Sequence, residues 1–209
     1  MRVGVSQRVD KVSHYYETRD GLDHRWIHFL EQVGLQVLVI PNQIKDPASY
    51  YLDFQLEGLI LTGGNDPAQL ENASNVSVVR DRTEATLQSL ASGLNHPILG
   101  VCRGMQYLCL QLGEQLSRTK GHVSRRHSLI CDPEFPYPNG HEVNSYHNWA
   151  LKSLRECSPF KIMAQTDDNS IEAIQHKTEP TFGIMWHPER ETQYSEHDLN
   201  FFKSIFSHD

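Results

Sequence analysis

The sequence predicts an α/β fold in which a mostly parallel central sheet is flanked by helices. Up to Gly113, short β-branched runs alternate with segments whose apolar residues repeat at helical spacing. After Gly113 the rhythm changes, and short strand-like runs follow one another with only turns between them. Strands separated by helices form parallel βαβ units, whereas strands joined by turns pair antiparallel. We therefore expect a parallel sheet with short antiparallel strands near the C-terminal half.

The first half of the chain contains four predicted strands and three predicted helices. The strands are expected at residues 2–6, 36–41, 58–62 and 96–101. Apolar residues spaced for one face of a helix mark the three helices. They are Trp26, Phe29, Leu30 and Val33, closed by Gly34, then Leu87, Leu90, Ala91 and Leu94, then Met105, Leu108, Cys109 and Leu112, closed by Gly113.

The second half is predicted to add antiparallel hairpins at the far edge of the sheet. Prolines and an Asn139-Gly140 turn interrupt residues 128–147 ahead of a strand-like run at 141–147. Further strands are expected at 160–164, 171–175 and 182–186, followed by an amphipathic helix through Leu199, Phe202, Ile205 and Phe206. Because there is no internal repeat and no linker, residues 1–209 are predicted to form a single domain.

Composition excludes several classes of function. The chain has 209 residues and 38% hydrophobic residues, with 19 Lys+Arg against 26 Asp+Glu and a net charge of −7. Such a charge argues against general binding to nucleic acid or anionic membranes, and no apolar run is long enough for a membrane span. Four cysteines without a CxxC pair and an N-terminus that enters a strand at once predict a cytoplasmic protein without a signal peptide. The oligomeric state is not indicated.

The segment Gly100-Val101-Cys102-Arg103-Gly104 lies between a predicted buried strand and a predicted helix. A nucleophile on such a sharp turn adopts a strained backbone conformation, and small neighbours allow the chain to pack around it. The N–H groups and dipole at the start of the helix would favour the thiolate of Cys102. The alternative is a structural cysteine that happens to lie between glycines.

A cysteine nucleophile needs a base and a group that orients the base. His187 and Glu189 follow the last predicted strand in the segment Trp186-His187-Pro188-Glu189-Arg190. His187 is therefore the candidate base, and Glu189 is the candidate partner of its second ring nitrogen. Among 12 histidines a single one is weak evidence, but the combination with the upstream cysteine is specific.

Paired glycines end another predicted strand, in the segment Leu61-Thr62-Gly63-Gly64-Asn65-Asp66-Pro67. Ligands of open α/β sheets bind at the carboxyl ends of the strands. The N–H of Gly64 could therefore complete an oxyanion hole with the N–H of Arg103. The alternative is an ordinary turn that leaves the strand.

Together these motifs resemble the class I glutamine amidotransferase-like superfamily, and they are similar to its peptidase C26 branch. The matching segments read GVCRGMQ, LTGGNDP, VNSYH and FGIMWHPER, and the similarity runs over nearly the whole chain. The resemblance implies a flavodoxin-like fold and a Cys102-His187-Glu189 triad that hydrolyses a γ-glutamyl amide through a thioester without metal or cofactor. It also implies glutamate-binding roles for residues of three segments, namely Gly63, Gln106, Asn144, Ser145 and Tyr146. The arginine after the cysteine is similar to stand-alone hydrolases of this branch, whereas synthase-linked glutaminases more often have Leu or Tyr.

The sequence indicates the leaving group less specifically than it indicates the reaction. Residues 115–131 contain several basic residues and no acid, which is typical of a solvated loop. They could also form a phosphate clamp through Arg125 and Arg126, with Arg8 as a further contact. Together with the short chain, the N-terminal segments Val5-Ser6-Gln7-Arg8 and Arg19-Asp20-Gly21-Leu22-Asp23 are similar to those of C26 hydrolases that release glutamate and cytidine diphosphoramidate from γ-glutamyl-CDP-amidate in capsule phosphoramidate pathways. Another γ-glutamyl amine such as γ-glutamyl-GABA, a glutaminase that serves a separate synthase and a non-catalytic sensor are the alternatives.

Other reactive residues are assigned no function. Cys109 is expected in the core, and Cys131 and Cys157 in loops. His141 and His147 are expected on one face of a strand, but no carboxylate or cysteine stands at ligand spacing, so no metal site is predicted. Trp149 replaces the glutamine that is more common in this region of C26 members, which could alter the leaving-group side of the pocket.

Overall fold

The computed structural model describes residues 1–207. Five helices are formed, α1 (His24–Val33), α2 (Pro47–Asp53), α3 (Val78–Gly93), α4 (Arg103–Gln111) and α5 (Glu196–Ile205), with a 3₁₀ turn at Pro188–Arg190. The strands are β1 (Arg2–Ser6), β2 (Arg8–Lys11), β3 (Thr18–Gly21), β4 (Gln36–Ile40), β5 (Gly58–Leu61), β6 (Ile98–Val101), β7 (Ser117–Arg118), β8 (Val123–Ser128), β9 (Ile130–Cys131), β10 (Glu142–Tyr146), β11 (Trp149–Ala150), β12 (Phe160–Gln165), β13 (Ile171–His176) and β14 (Thr181–Ile184).

Eight strands form the central sheet in the order β4-β1-β5-β6-β14-β13-β12-β9. The strands from β4 to β14 run parallel, and β13, β12 and β9 are added antiparallel. This arrangement confirms the predicted fold class. The carboxyl ends of β5, β6 and β14 lie side by side, which brings the three motif-bearing segments to one edge of the sheet.

Two apolar cores cover the two faces of the sheet. On one face, α1 and α5 pack through side chains such as Phe29, Leu30 and Phe202. On the other face, helices α2, α3 and α4 pack through side chains such as Tyr51, Leu87 and Leu108. The helical spacing read from the sequence therefore identified the buried faces, except that Leu94 follows the end of α3 and is 43% exposed. Gly34 ends α1 in the left-handed conformation that favours glycine.

Several elements lie outside the sequence-based prediction. The β2–β3 hairpin, helix α2 and the two-stranded pairs β10–β8 and β11–β7 were not expected as such. The segment predicted as a solvated basic loop instead contributes β7, β8 and β9, and β8 pairs with β10 outside the main sheet. These elements are short and mostly polar, so they lack the apolar periodicity on which the prediction relied.

Within residues 1–207, the structure contains no helix that is long and apolar enough to cross a membrane. The four cysteines are all free thiols. Cys109, on the buried face of α4, lies in the core, as expected, and burial raises the pKa of its thiol.

Candidate active site

The turn from β6 into α4 places Cys102 in a strained backbone conformation. Cys102 has φ +53° and ψ −108°, outside the regions that most residues adopt. A Cβ at Gly104 would lie 2.0 Å from the carbonyl oxygen of Leu61, and one at Gly100 would lie 2.6 Å from the backbone of Gly104 and Met105. The glycines on either side therefore let α4 pack directly on the strands, as the sequence motif predicted.

Cys102, His187 and Glu189 come together at this edge of the sheet. A Cβ at Gly63 would lie 2.8 Å from His187 Cε1 and 3.8 Å from the Cys102 Cβ, so the imidazole and the cysteine flank the same glycine. The Nδ1 atom of His187 lies 2.7 Å from Glu189 Oε1. Cys102 is 7% exposed, and the other two side chains are almost fully buried. In space, the imidazole of His187 thus lies between Cys102 and Glu189, which is the arrangement that a nucleophile, a base and an orienting acid require.

The electrostatics of the site favour a charged pair. Burial acts to raise the pKa of Cys102, but the neighbouring His187 outweighs it and holds the thiol pKa below its usual value. Burial acts to lower the pKa of His187, but Glu189 and Cys102 together raise it to about 9. Each group therefore shifts the pKa of the other toward the charged pair of thiolate and imidazolium.

These shifts predict an unusual alkylation profile for Cys102. Because His187 holds the pKa of the Cys102 thiol below its usual value, the rate of reaction with iodoacetamide should rise less steeply between pH 7 and 9 than that of glutathione. His187→Gln removes the largest contribution that opposes burial, so the rate at pH 7 should fall and should then rise more steeply with pH. Mass spectrometry of the peptide that contains residue 102 measures the rate, with glutathione in the same tube as the reference. A wild-type profile parallel to that of glutathione would contradict the charged pair.

The glycine loop between β5 and α3 lies against the same two residues. Gly64 has φ +99°, and a Cβ there would lie 2.7 Å from the Arg8 Cβ, so both the conformation and the space require glycine. Among residues 1–207, neither the Gly64 N–H nor the Arg103 N–H donates to a backbone acceptor in the surrounding loops. Both groups are thus left available at the positions that the sequence predicted.

A buried arginine that sequence reasoning missed holds this loop in place. Arg80, on α3, is fully buried and donates to the carbonyl oxygen of Thr62 at 2.6 Å and of Gly63 at 2.9 Å. Its Nε lies 2.8 Å from Glu84 Oε1. Glu84 also pairs with the buried guanidinium of Arg103, the residue after Cys102. One charged network therefore connects the glycine loop to the start of α4.

The side-chain amide of Asn144, on β10, forms hydrogen bonds with both the N–H and the carbonyl group of His187. Its Nδ2 donates to the His187 carbonyl at 2.7 Å, and its Oδ1 accepts the His187 N–H at 2.9 Å. Nδ2 also lies 2.8 Å from Glu191 Oε1. The resemblance implied a glutamate-binding role for Asn144, but its side-chain amide is already engaged with the backbone of His187, the expected base.

As a test of the expected triad, we predict that Asn144→Ala lowers kcat for the glutamate release that the resemblance implies about 10- to 100-fold, because the imidazole loses its fixed position. KM should change little, since the amide contacts the base rather than the substrate. Steady-state kinetics with Asn148→Ala, an exposed neighbour, as the control measures the effect. A raised KM with unchanged kcat would instead support the glutamate-binding role.

The other predicted glutamate contacts are divided between the cleft and the interior. The Ser145 hydroxyl is buried and donates to the His122 carbonyl at 2.8 Å. Gln106 Nε2 donates to the Trp149 carbonyl at 3.0 Å, which leaves the amide oxygen of Gln106 for other contacts. Tyr146 is 40% exposed and packs edge-on against His187 with ring centroids 5.9 Å apart. Of these side chains, Tyr146 is the one that borders both solvent and the base.

The predicted phosphate clamp needs correction. Arg125 and Arg126 are adjacent on β8, so their side chains project to opposite sides of the ribbon. The Arg126 guanidinium is engaged, since it lies 2.9 Å from Glu191 Oε1 and donates to the Glu142 carbonyl at 2.9 Å. Arg125 is exposed. The ribbon therefore does not present the two arginines as one fork.

A different basic group borders the site. A cavity of about 60 Å³ beside His187 and Gly64 is lined by Arg8 and Arg190. Arg8 is 46% exposed and pairs with Asp10 at 2.7 Å. The Arg190 guanidinium lies 4.6 Å above the Tyr146 ring. Arg8 was predicted to contact the leaving group, whereas no role was predicted for Arg190, the last residue of the segment Trp186-His187-Pro188-Glu189-Arg190.

Solved structures share this fold. A putative GMP synthase subunit from Thermoplasma acidophilum superposes with a TM-score of 0.71 at 20% identity, covering 98% of this chain and 92% of that one. A glutamine amidotransferase from Thermotoga maritima gives a TM-score of 0.64 at 16% identity, covering 97% of this chain and 82% of that one. The architecture is thus that of the class I glutamine amidotransferases.

The family model of peptidase C26 matches residues 3–189. The chain belongs to the peptidase C26 family, whose members hydrolyse amide bonds. A γ-glutamyl-CDP-amidate hydrolase of Campylobacter jejuni is 31% identical over 212 residues, covering 99% of this chain and 98% of that protein. The glutamine-hydrolysing GMP synthase subunit of Methanocaldococcus jannaschii is 27% identical over 193 residues, covering 87% of this chain and 90% of that protein.

Proposed function

We propose that the protein is a cysteine-dependent hydrolase of a γ-glutamyl amide and that it releases glutamate. The observation that carries the proposal is the position of Cys102 on a strained turn, beside an imidazole whose far nitrogen is held 2.7 Å from Glu189. A structural cysteine has no need of such a partner, and the buried Cys109 has none. Membership of a family of amide-bond hydrolases supports the same reaction class.

In the first step, the Cys102 thiolate attacks the γ-carbonyl carbon and forms a tetrahedral oxyanion. The N–H groups of Gly64 and Arg103 stabilise this charge, with each donor contributing about 3 kcal/mol in related chemistry. The C–N bond then breaks, and the His187 imidazolium gives its proton to the departing nitrogen. The product is a thioester between Cys102 and the γ-glutamyl group.

In the second step, the neutral imidazole takes a proton from water, and the resulting hydroxide attacks the thioester carbonyl. The C–S bond breaks, glutamate leaves, and the cysteine returns to the thiolate beside an imidazolium. Glu189 holds the ring through its Nδ1 atom and favours the charged form in both steps. Water is the second reactant, and the new γ-carboxylic acid of the product releases its proton to solvent.

We infer that the leaving group is nucleotide-linked and that γ-glutamyl-CDP-amidate is the substrate. The full-length similarity to a hydrolase of that name supports this assignment. The cavity next to Gly64 also supports it, because Arg8 and Arg190 line it, together with Asp23 and Glu189, and offer guanidinium groups to an anionic leaving group. The products would be glutamate and cytidine diphosphoramidate, consistent with a cytoplasmic enzyme of capsule phosphoramidate biosynthesis.

The test is glutamate release from a panel of γ-glutamyl amides that includes γ-glutamyl-CDP-amidate, γ-glutamyl-GABA and free glutamine. The proposal expects the highest kcat/KM for the nucleotide-linked amide. A uniform rate over the panel would contradict the leaving-group assignment. No release from any member would contradict the hydrolase itself.

The similarity to a glutamine-hydrolysing GMP synthase subunit favours one alternative, a glutaminase that supplies ammonia to a separate synthase. In that case free glutamine would be the best member of the panel. Its hydrolysis would become rapid only after a partner protein was added. Brisk turnover of γ-glutamyl-CDP-amidate by the isolated chain would exclude this alternative.

A contribution of Arg8 to recognition of the leaving group predicts a selective change in KM. Arg8→Gln should raise KM for γ-glutamyl-CDP-amidate about tenfold, the effect of losing one charged hydrogen bond. KM for γ-glutamyl-GABA should stay unchanged. Arg125→Gln is the matched exposed control, because it removes the same charge from the β8 ribbon. An effect of Arg125→Gln alone would assign the leaving group to the ribbon instead.

A further inference from the structure

Three buried side chains outside the proposed catalytic triad converge on one point. His122 precedes β8, His147 follows β10, and Glu172 lies on β13; all three are less than 5% exposed. His122 Nδ1 lies 3.8 Å from Glu172 Oε1, and His147 Nε2 lies 3.4 Å from the same oxygen. One ligand-type atom from each residue lies within 4.8 Å of the others.

None of the atoms that face this point has a hydrogen-bond partner. His122 Nδ1, His147 Nε2 and both carboxylate oxygens of Glu172 are buried and unpaired in the described chain. Leaving such groups unsatisfied is expensive, particularly for a carboxylate removed from water. A hydrogen bond from a protonated His147 would satisfy only two of the four atoms.

The ring nitrogens of His122 and His147 that point away from Glu172 explain why no hydrogen-bond donor faces its carboxylate. His122 Nε2 lies 3.0 Å from Asp168 Oδ2, and His147 Nδ1 lies 3.0 Å from the Trp149 carbonyl oxygen. Since both partners are acceptors, these nitrogens carry the protons. In the neutral rings, the nitrogens that face Glu172 then present lone pairs. Two lone pairs and a carboxylate facing one another require a cation.

We propose that His122, His147 and Glu172 bind a divalent first-row transition-metal ion, for which Zn²⁺ is the probe. Tetrahedral Zn²⁺ with bonds of roughly 2.0–2.2 Å separates its ligand atoms by about 3.4 Å, close to the two observed distances. Two imidazoles and one carboxylate suit such ions, whereas Mg²⁺ and Ca²⁺ prefer oxygen ligands. Hydrogen bonds from the far ring nitrogens to a carboxylate and a carbonyl are typical of metal-bound histidines.

The fourth coordination position is open to His127 or to water. The His127 ring centre is 4.3 Å from that of His122, and its Nε2 atom is also buried and unpaired. The ion would tie the segment before β8 to the end of β10 and to β13. Because β10 carries Asn144, the ion would stabilise the strand that holds His187. This inference departs from the expectation, based on sequence spacing, that the chain has no metal site.

The experiment uses full-length protein without a histidine tag, stripped with a chelator and dialysed. Zn²⁺ is then titrated against a chromogenic chelator, and bound metal is measured by mass spectrometry. We expect one ion per chain in the wild type and its loss in Glu172→Gln. Asp168→Asn leaves the three proposed ligands in place but removes the charge of the outer partner of His122, which also pairs with Lys152, and it should weaken binding about 10- to 100-fold. Cys102→Ser and His141→Asn are controls that should each retain the ion.

Cobalt(II) substitution identifies the ligands independently. Bound Co²⁺ should show visible d–d bands without a thiolate charge-transfer band, because the site contains no cysteine. Several results would overturn the proposal. They are wild-type binding no stronger than that of Glu172→Gln, unchanged affinity in Asp168→Asn, or loss of the ion in Cys102→Ser, which would assign it to the catalytic thiolate. If no ion binds, the cluster is held instead by an ion pair between protonated His147 and Glu172.

Discussion

Cys102→Ser is expected to abolish glutamate release, lowering kcat by about 10⁴-fold or more. The serine hydroxyl fits the same space, but it is not ionised beside His187, and the thioester cannot form. Steady-state release of glutamate from the best substrate of the panel measures the loss. Acid-quenched wild-type protein should also contain a γ-glutamyl adduct on residue 102, detected by peptide mass spectrometry.

Cys131→Ser is the matched control because this cysteine is a free thiol on β9, in the antiparallel part of the sheet. It should retain full activity. Residual activity of Cys102→Ser above a tenth of the wild-type rate would refute nucleophilic catalysis by this residue. Protein that binds substrate with unchanged affinity and never forms an adduct would point to the non-catalytic sensor.

The second large effect is expected in stability, from Arg80→Met. This substitution removes one member of a fully buried ion pair and leaves the carboxylate of Glu84 with Arg103 as its remaining cation. Breaking such a pair costs about 3–5 kcal/mol of the free energy of unfolding. Urea denaturation measures the loss, and an unchanged unfolding midpoint would contradict the proposed network.

Arg80 should also act as a positioning residue for the glycine loop. Lysine at this position keeps the charge but lacks the fork that reaches the carbonyls of Thr62 and Gly63. Arg80→Met should therefore lower kcat as well as the free energy of unfolding. Arg80→Lys should recover much of the free energy of unfolding, but its kcat should stay reduced. Arg82→Met, on the exposed side of α3, is the control and should change neither quantity. Full recovery of kcat in Arg80→Lys would reduce Arg80 to a purely structural role.

The sheet was predictable because its strands and helices bury continuous apolar faces. Strand β1 was predicted with the observed bounds. The predicted C-terminal ends of β5 and β13 each differ from the observed ends by one residue. The β8–β10 ribbon was not recognised, since β8 is a polar, largely exposed strand. The expectation that His141 and His147 share a face was wrong. The β10 strand ends at Tyr146 after a register shift, and the two rings pack against different histidines, His197 and His122.

The candidate site was predictable where its residues are adjacent in sequence. Cys102 lies between two glycines, and His187 precedes Glu189 by two residues, so local spacing already suggests the chemistry. Arg80 was missed because a lone arginine on a helix is normally exposed, and its partners lie 17 and 18 residues upstream. Asn144 was assigned to the substrate because a motif does not show which way an amide points.

The sequence by itself determined the fold class, the strand ends at which the candidate site lies and the residue types proposed for its chemistry. These features follow from periodicity and from short-range spacing, which folding preserves. Only the tertiary structure decided which polar groups meet: Arg80 with the glycine loop, Asn144 with the base, and Glu172 with two histidines. Those contacts depend on strands distant in sequence becoming neighbours, and on burial that turns an ordinary polar side chain into one that must find a partner.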